Sequence, residues 1–243
     1  MFIAIDEKGN RIFASNAQKG TTYYCPVCKT AVRLKDGSIN ATHFAHVSLN
    51  DCDDFSSDMS EWHRKWQSLF PVKNCEHIMQ NENEIHRADV CCYGTVIEFQ
   101  HSSILADEFW CRNDFYTGLG YKVVWIFDVI DIFESDNSSS GIFVLDDWET
   151  RYDKGTGFRW KRPWRFLADF FPQNEKNIDI FFQTLPFDDN PKDREALYME
   201  KVVWVNPNCE TMWRYFRTSN NSPMNYAELL DWLKARWIKG QNK

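Results

Sequence analysis

Ile85-His86-Arg87-Ala88-Asp89-Val90-Cys91-Cys92, then Tyr93-Gly94, then Thr95-Val96-Ile97-Glu98-Phe99-Gln100, is the stretch on which the reading of the fold turns. β-branched and aromatic residues in both runs favour extended backbone, and a two-residue spacer ending in glycine suits a tight hairpin. Counting outward from the turn pairs Cys92 with Thr95, Cys91 with Val96, Val90 with Ile97 and Asp89 with Glu98. Cross-strand neighbours lie about 5 Å apart and like charges there repel, so a sheet tolerates this pair best with a cation between them. Strand alternation sets Arg87, Asp89, Glu98 and Gln100 on one face and Ala88, Val90, Ile97 and Phe99 on the other. The expectation is one face for packing and one for chemistry.

Working outward, Ser60 is placed to cap a helix in which Trp62, Trp66, Leu69 and Phe70 recur at helical spacing before Pro71 ends it. Glu61 and Lys65 lie one turn apart on a neighbouring stripe. A strand is expected near Val72 to Met79. After the hairpin, a second helix with Leu105, Phe109, Arg112 and Tyr116 turned inward closes at Gly118 and Gly120, and Tyr121 to Phe127 reads as a buried strand. This order, α-β-β-β-α-β, predicts an α/β core with a mixed sheet. Further on, apolar runs at Ile142 to Leu145, Ile178 to Phe182 and Lys201 to Val205, and an amphipathic helix from Tyr226 to Ile238, predict a C-terminal α/β extension.

Upstream, Phe2 to Ala14 reads as a small hairpin, followed by Tyr24-Cys25-Pro26-Val27-Cys28, a strand over Ala31 to Leu34, and Thr42-His43-Phe44-Ala45-His46-Val47. The spacing of Cys25 and Cys28 lets two thiolates reach one tetrahedral Zn²⁺. His43, His46 and Cys52 are the candidates for the rest of the site. In a strand His43 and His46 face opposite ways, which favours Cys25, Cys28, His46 and Cys52, with His43 as the alternate. Such a zinc is structural, completing a β-rich module too small to hold itself together by its core alone. Cys75, Cys91, Cys92, Cys111 and Cys209 read as ordinary core cysteines. The expected organisation is a zinc module over 1–58, an α/β core over 59–132 and the extension over 133–243.

With 243 residues, of which 43% are apolar, the chain can build sizeable cores. It has no apolar run long enough to predict a membrane span, and its first residues lack the basic, apolar and small-residue pattern of a secretion signal. Cytoplasmic residence is therefore the expectation, in keeping with cysteines that bind metal rather than form disulfides. A net charge of −7 argues against indiscriminate coating of nucleic acid. Locally, Arg159, Lys161, Arg162 and Arg165 interleave with Phe158, Trp160, Trp164 and Phe166. That mixture suits backbone contact and base stacking on DNA.

Two carboxylates a few ångströms apart with a polar residue two positions on make a site for a hard cation, Mg²⁺ or Mn²⁺. A cation there polarises a phosphoryl oxygen and acidifies a bound water, the two needs of phosphodiester hydrolysis. Glu61 is a candidate third carboxylate, and Arg112 is a candidate phosphate contact.

The string of Glu on the first helix, Asp on the second strand and Glu-x-polar on the third resembles the PD-(D/E)XK nuclease superfamily. More closely, Cys-Pro-Val-Cys, His-Phe-Ala-His, Ser-Glu-Trp-His, His-Arg-Ala-Asp-Val, Ile-Glu-Phe-Gln-His-Ser-Ser-Ile and Val-Val-Trp-Ile, in order over Tyr24 to Asp128, resemble the CoiA-like competence protein family. The resemblance implies a nuclease acting around DNA uptake and recombination, with other competence or recombination proteins as partners. It also implies Asp89 and Glu98 as metal ligands, with Gln100 where the superfamily carries Lys. Glutamine orients a water or a phosphate oxygen but supplies no charge and no useful basicity. Lys65 is the expected substitute cation, and His63 and His101, which lie inside the resembling strings, are secondary catalytic candidates.

Overall fold

The structure, a computed structural model, describes residues 1–36, 42–47, 60–132, 142–144, 157–160, 177–183, 199–205, 214–218 and 225–241. Cys52, Lys161, Arg162, Arg165 and Cys209 lie outside them, and Arg159 is described by its backbone alone. The chain forms two compact units, Met1–Cys91 and Cys92–Lys243. It is a mixed α/β fold with two sheets.

The first unit opens with five short strands: β1 (Ile3–Ile5), β2 (Arg11–Phe13), β3 (Tyr23–Tyr24), β4 (Ala31–Lys35) and β5 (His43–His46). They form one antiparallel sheet in the order β2-β1-β3-β4-β5. Ala4, Ala14, Tyr23, Cys25, Val32 and Phe44 make its core, with the Tyr23 and Phe44 rings 5.0 Å apart. So small a cluster buries little apolar area, and ties to the following elements add to it. Glu76, 1% exposed, accepts from the backbone N–H groups of Phe2 and Ile3 at 3.0 and 3.2 Å. Arg11 donates to the carbonyls of Cys75 and Glu76.

Helix α1 (Glu61–Ser68) begins where expected, the Ser60 hydroxyl accepting from the N–H of His63 at 3.2 Å. Trp62, Trp66 and Phe70 are buried, while Leu69 is half-buried. Residues Val72–Asn74 make a 3₁₀ turn where a strand start was expected, because Pro71 interrupts the backbone bonding there. Strands β6 (Cys75–Gln80) and β7 (Ile85–Cys92) then pair antiparallel, with Glu76 at φ +45° between the Cys75↔Val90 and His77↔Ala88 pairs.

In the second unit, Tyr93 and Gly94 have φ of 50° and 62°, the two positive values of a type I′ hairpin turn, and β8 (Thr95–Gln100) follows. Helix α2 (Ala106–Gly118) ends in a Schellman motif: Gly120 at φ +86° donates to Thr117, and Tyr121 donates to Tyr116. Strand β9 (Lys122–Asp128) runs parallel to β8. Beyond it come β10 (Ile142–Val144), β11 (Gly157–Trp160), β12 (Ile178–Gln183), β13 (Met199–Val205), β14 (Arg214–Thr218) and helix α3 (Tyr226–Gln241). Three of these strands fall on the apolar runs read from the sequence. The strand order in this unit is β10-β11-β14-β13-β12-β9-β8, with β12 parallel to β9 and the outer pairs antiparallel.

Both faces of β8, β9 and β12 are covered, as parallel strands demand. On one face the Phe109 ring of α2 lies 4.9 Å from Trp125, and on the other the Trp232 ring of α3 lies 5.5 Å from Phe181. Asp179 on β12 and Arg236 on α3 form an ion pair. Two inward expectations are corrected. Leu105 is 75% exposed because it precedes the helix rather than lying on its inner stripe, and Ile104 is buried beside it. Cys111 is exposed.

Candidate functional site

Four groups of side chains carry chemistry, and each is built by a different local device. In the first unit, α1 is held against β7 by its polar edge. Gln67 donates its amide to the backbone carbonyl of Asp89 at 3.1 Å, and Nε2 of His63 lies 3.0 Å from Oδ1 of Asp89. His63 and Gln67 are one turn apart, so a single helix face addresses Asp89 through its main chain and its side chain together. Glu61, on another stripe, is exposed and lies 3.4 Å from Lys65. That is an ordinary i,i+4 pair, of little energetic consequence in solvent.

In the second unit, Glu98 is 1% exposed. Its register partner on β9 is Trp125, which faces α2, so Glu98 points under that helix. Arg112 of α2 closes over it, donating to Glu98 Oε2 at 3.0 Å and to Glu108 Oε1 at 2.8 Å. The face expected to be left to chemistry is thus packed at this position. A carboxylate leaves water only with strong compensation, and the guanidinium fork provides it. Arg112, a candidate phosphate contact from sequence, spends its guanidinium on these two carboxylates.

At the carboxyl ends of the parallel strands, Gln100 donates to the carbonyl of Ser102 at 2.7 Å. Past Gln100 and its partner Phe127, the chains continue into His101 and Asp128. Nδ1 of His101 lies 2.7 Å from Oδ2 of Asp128, whose other oxygen accepts from the N–H of Ile130. A carboxylate on one imidazole nitrogen fixes the ring's orientation and its tautomer. Asp128 escaped the sequence reading because it is 27 residues from His101. Only the parallel register of β8 and β9 shows the pairing.

The fourth group is the cysteine and histidine cluster. The ligand atoms of Cys25, Cys28 and His46 lie within 4.8 Å of one another, with Cys28 Sγ 3.3 Å from His46 Nε2. Sulfur and nitrogen on one tetrahedral Zn²⁺ sit about 3.5 Å apart by its usual bond lengths, so the set fits that ion. The knuckle is shaped by Lys29 at φ +61°, whose N–H reaches the Cys25 carbonyl at 3.1 Å, and by the N–H of Val27 aimed at Cys25 Sγ at 3.4 Å. Because residues 43–46 are a strand, His46 faces the knuckle and His43, three positions earlier, falls on the other side. Elsewhere, burial pushes the Cys91 thiol up to about 11, so it remains protonated near neutrality.

Among the described residues, no helix is long and apolar enough to cross a membrane. The family described as competence protein CoiA, N-terminal domain, matches residues 7–55, and that described as competence protein CoiA, nuclease-like domain, matches residues 58–142. Together they span more than half of the chain. The Druantia protein DruB of Escherichia coli (strain UMEA 4076-1) is 41% identical over 59 residues, which is 23% of this chain and 11% of that protein. No solved structure matches.

Proposed function

We propose that this chain, which belongs to the CoiA-like competence protein family, is a metal-dependent nuclease of PD-(D/E)XK type that hydrolyses DNA phosphodiester bonds during uptake, recombination or defence. The observation that carries the reading is the coincidence of two independent features. The nuclease-like match covers residues 58–142, and within it the elements run α1, β6, β7, β8, α2, β9. Glu61 falls on the helix, Asp89 on the second strand, and Glu98 and Gln100 on the third.

In this reading Asp89 and Glu98 hold Mg²⁺ or Mn²⁺, for which hard carboxylate oxygens are the fitting donors. When bound, the ion supplies Lewis acidity at the phosphoryl oxygen and a more acidic water. His63 holds the Asp89 carboxylate in place. Arg112 neutralises the buried Glu98 carboxylate and also pairs with Glu108, so an ion held by Glu98 would have to displace the first of these contacts. Gln100 orients water or phosphate but takes no proton. That duty falls to His101, kept in one tautomer by Asp128. Lys65, Arg159, Lys161, Arg162 and Arg165 supply positive charge toward the DNA, and Cys25, Cys28, His46 and Cys52 hold the structural Zn²⁺.

The experiment is a cleavage assay of the full chain with Mn²⁺ on single-stranded, double-stranded and branched DNA, beside Asp89→Asn, Glu98→Gln, His101→Asn and Asp128→Asn. Wild type cuts, the first two variants do not, and the last two are slowed by about 10²–10⁴-fold. Intact DNA throughout, or variants equal to wild type, overturns the assignment. The bond that ties Gln100 to Ser102 favours one second reading, a DNA-binding accessory protein without turnover. In that case Arg159→Glu and Arg162→Glu weaken DNA binding and Glu98→Gln does not; metal-supported cutting eliminates it.

A further inference from the structure

Within the first unit a pocket of about 240 Å³ opens beside α1, lined by Phe2, Phe13 and Ser15 from the N-terminal sheet and by Arg64, Lys65 and Gln67 from the helix. Two of the side chains that line it bury a polar atom without a hydrogen-bond partner among the described residues, Oε1 of Gln67 and Nε of Arg64. Gln67 is 1% exposed, and its amide nitrogen is already committed to Asp89, which leaves the oxygen as the unused end. The Arg64 guanidinium carbon lies 5.4 Å from the Phe2 ring centroid, a cation–π distance that holds the side chain against the pocket wall. Folded proteins rarely bury an acceptor and a donor in one place without something to satisfy both.

The lining specifies its occupant. Aromatic walls take a flat ring, the Gln67 oxygen takes an N–H, and Arg64 takes an anion, with Lys65 beside it shared with the Glu61 carboxylate that also lines the pocket. A nucleotide combines all three, and every nucleobase carries at least one N–H on its pairing edge, so the pocket need not select a base. Its volume is below the roughly 300–1,000 Å³ of pockets for whole drug-sized ligands, which limits the occupant to a single residue of a strand. We propose that the pocket receives one nucleotide of the DNA strand, its base against Phe2 and Phe13 with an N–H on Gln67 Oε1, and its phosphate toward Arg64 and Lys65. The proposal rests on the nuclease reading for its polymer. Since Gln67 and His63 both address Asp89, a nucleotide seated here is registered by the helix that positions that carboxylate.

Titration calorimetry of the full chain, with no added divalent cation, tests it using dAMP, deoxyribose 5-phosphate and inorganic phosphate. Ser15→Trp fills the mouth from an exposed position, and Arg64→Met keeps bulk while removing the donor; thermal melting confirms that each folds. Wild type binds dAMP, deoxyribose 5-phosphate binds about tenfold more weakly, and both variants lose about tenfold or more. In cleavage the same variants raise KM and leave kcat in place. Equal affinity for phosphate and dAMP, no dAMP binding, or variants that bind dAMP as wild type does overturns the pocket assignment. Cutting lost in Asp89→Asn alongside unaltered pocket variants sinks the pocket alone. Binding of dAMP that Ser15→Trp abolishes, in a protein that never cuts, supports the pocket and overturns the nuclease.

Discussion

Nη1 of Arg112 donates to Oε2 of Glu98 at 3.0 Å, and Nη2 of the same guanidinium donates to Oε1 of Glu108 at 2.8 Å. A residue from α2 therefore neutralises the most buried acidic side chain of the candidate site, and shares its guanidinium with a second carboxylate on the same helix.

Arg112→Met tests this arrangement. Removing one partner of a fully buried ion pair costs about 3–5 kcal/mol, and the partial exposure of Arg112 puts the loss at the lower end. Thermal melting with and without Mn²⁺ measures it. The variant gains more from the ion than wild type does, because the cation replaces a missing charge rather than displacing one. Equal Mn²⁺ shifts in the two proteins would place the ion elsewhere.

The knuckle makes a prediction about metal content. The purified chain carries one equivalent of Zn²⁺, counted by a colorimetric chelator after thiol modification. Cys25→Ser, Cys28→Ser, His46→Ala and Cys52→Ser each lose it and melt earlier, while His43→Ala keeps it. Retention of zinc by Cys52→Ser, with loss in His43→Ala, would reassign the fourth ligand.

Acid sensitivity follows from His77. Partial burial, and secondarily the charge of Arg11, hold its imidazole below the ordinary value of 6.5. The unfolded chain therefore binds this proton first as pH falls, so the contribution is fully present above about pH 6.5 and is lost progressively below it. His77→Gln flattens the fall of melting temperature between pH 7 and the acid limb. Superimposable pH profiles of wild type and variant would contradict the assignment.

At the hairpin turn, Gly94 has φ +62°, and a Cβ built there would run into the Trp237 indole on α3. Gly94→Ala costs about 1–2 kcal/mol for the left-handed backbone, and displacing the indole, which is 42% exposed, adds less than overpacking a core would. Chemical denaturation of Gly94→Ala, Trp237→Ala and the double variant separates the two costs. Trp237→Ala relieves only the steric part, so strictly additive losses would deny the contact.

Much of this protein was legible in one dimension because the signals are local. Ser60 capping α1, the two positive-φ residues at 93 and 94, the glycine that ends α2 and the Cys25 to Cys28 spacing each act within a few residues, and each is found where the chain places it. Alternation likewise identified Ala88, Val90, Ile97 and Phe99 as buried. Only the tertiary structure decided that Glu98 lies beneath Arg112, that His101 meets Asp128, that Glu76 accepts the backbone of Phe2 and Ile3, and that α1 forms a pocket with the N-terminal sheet. Those outcomes depend on strand register and on which helix covers which face. Both are set by the summed packing of many distant residues, none of which carries the answer in its own neighbourhood.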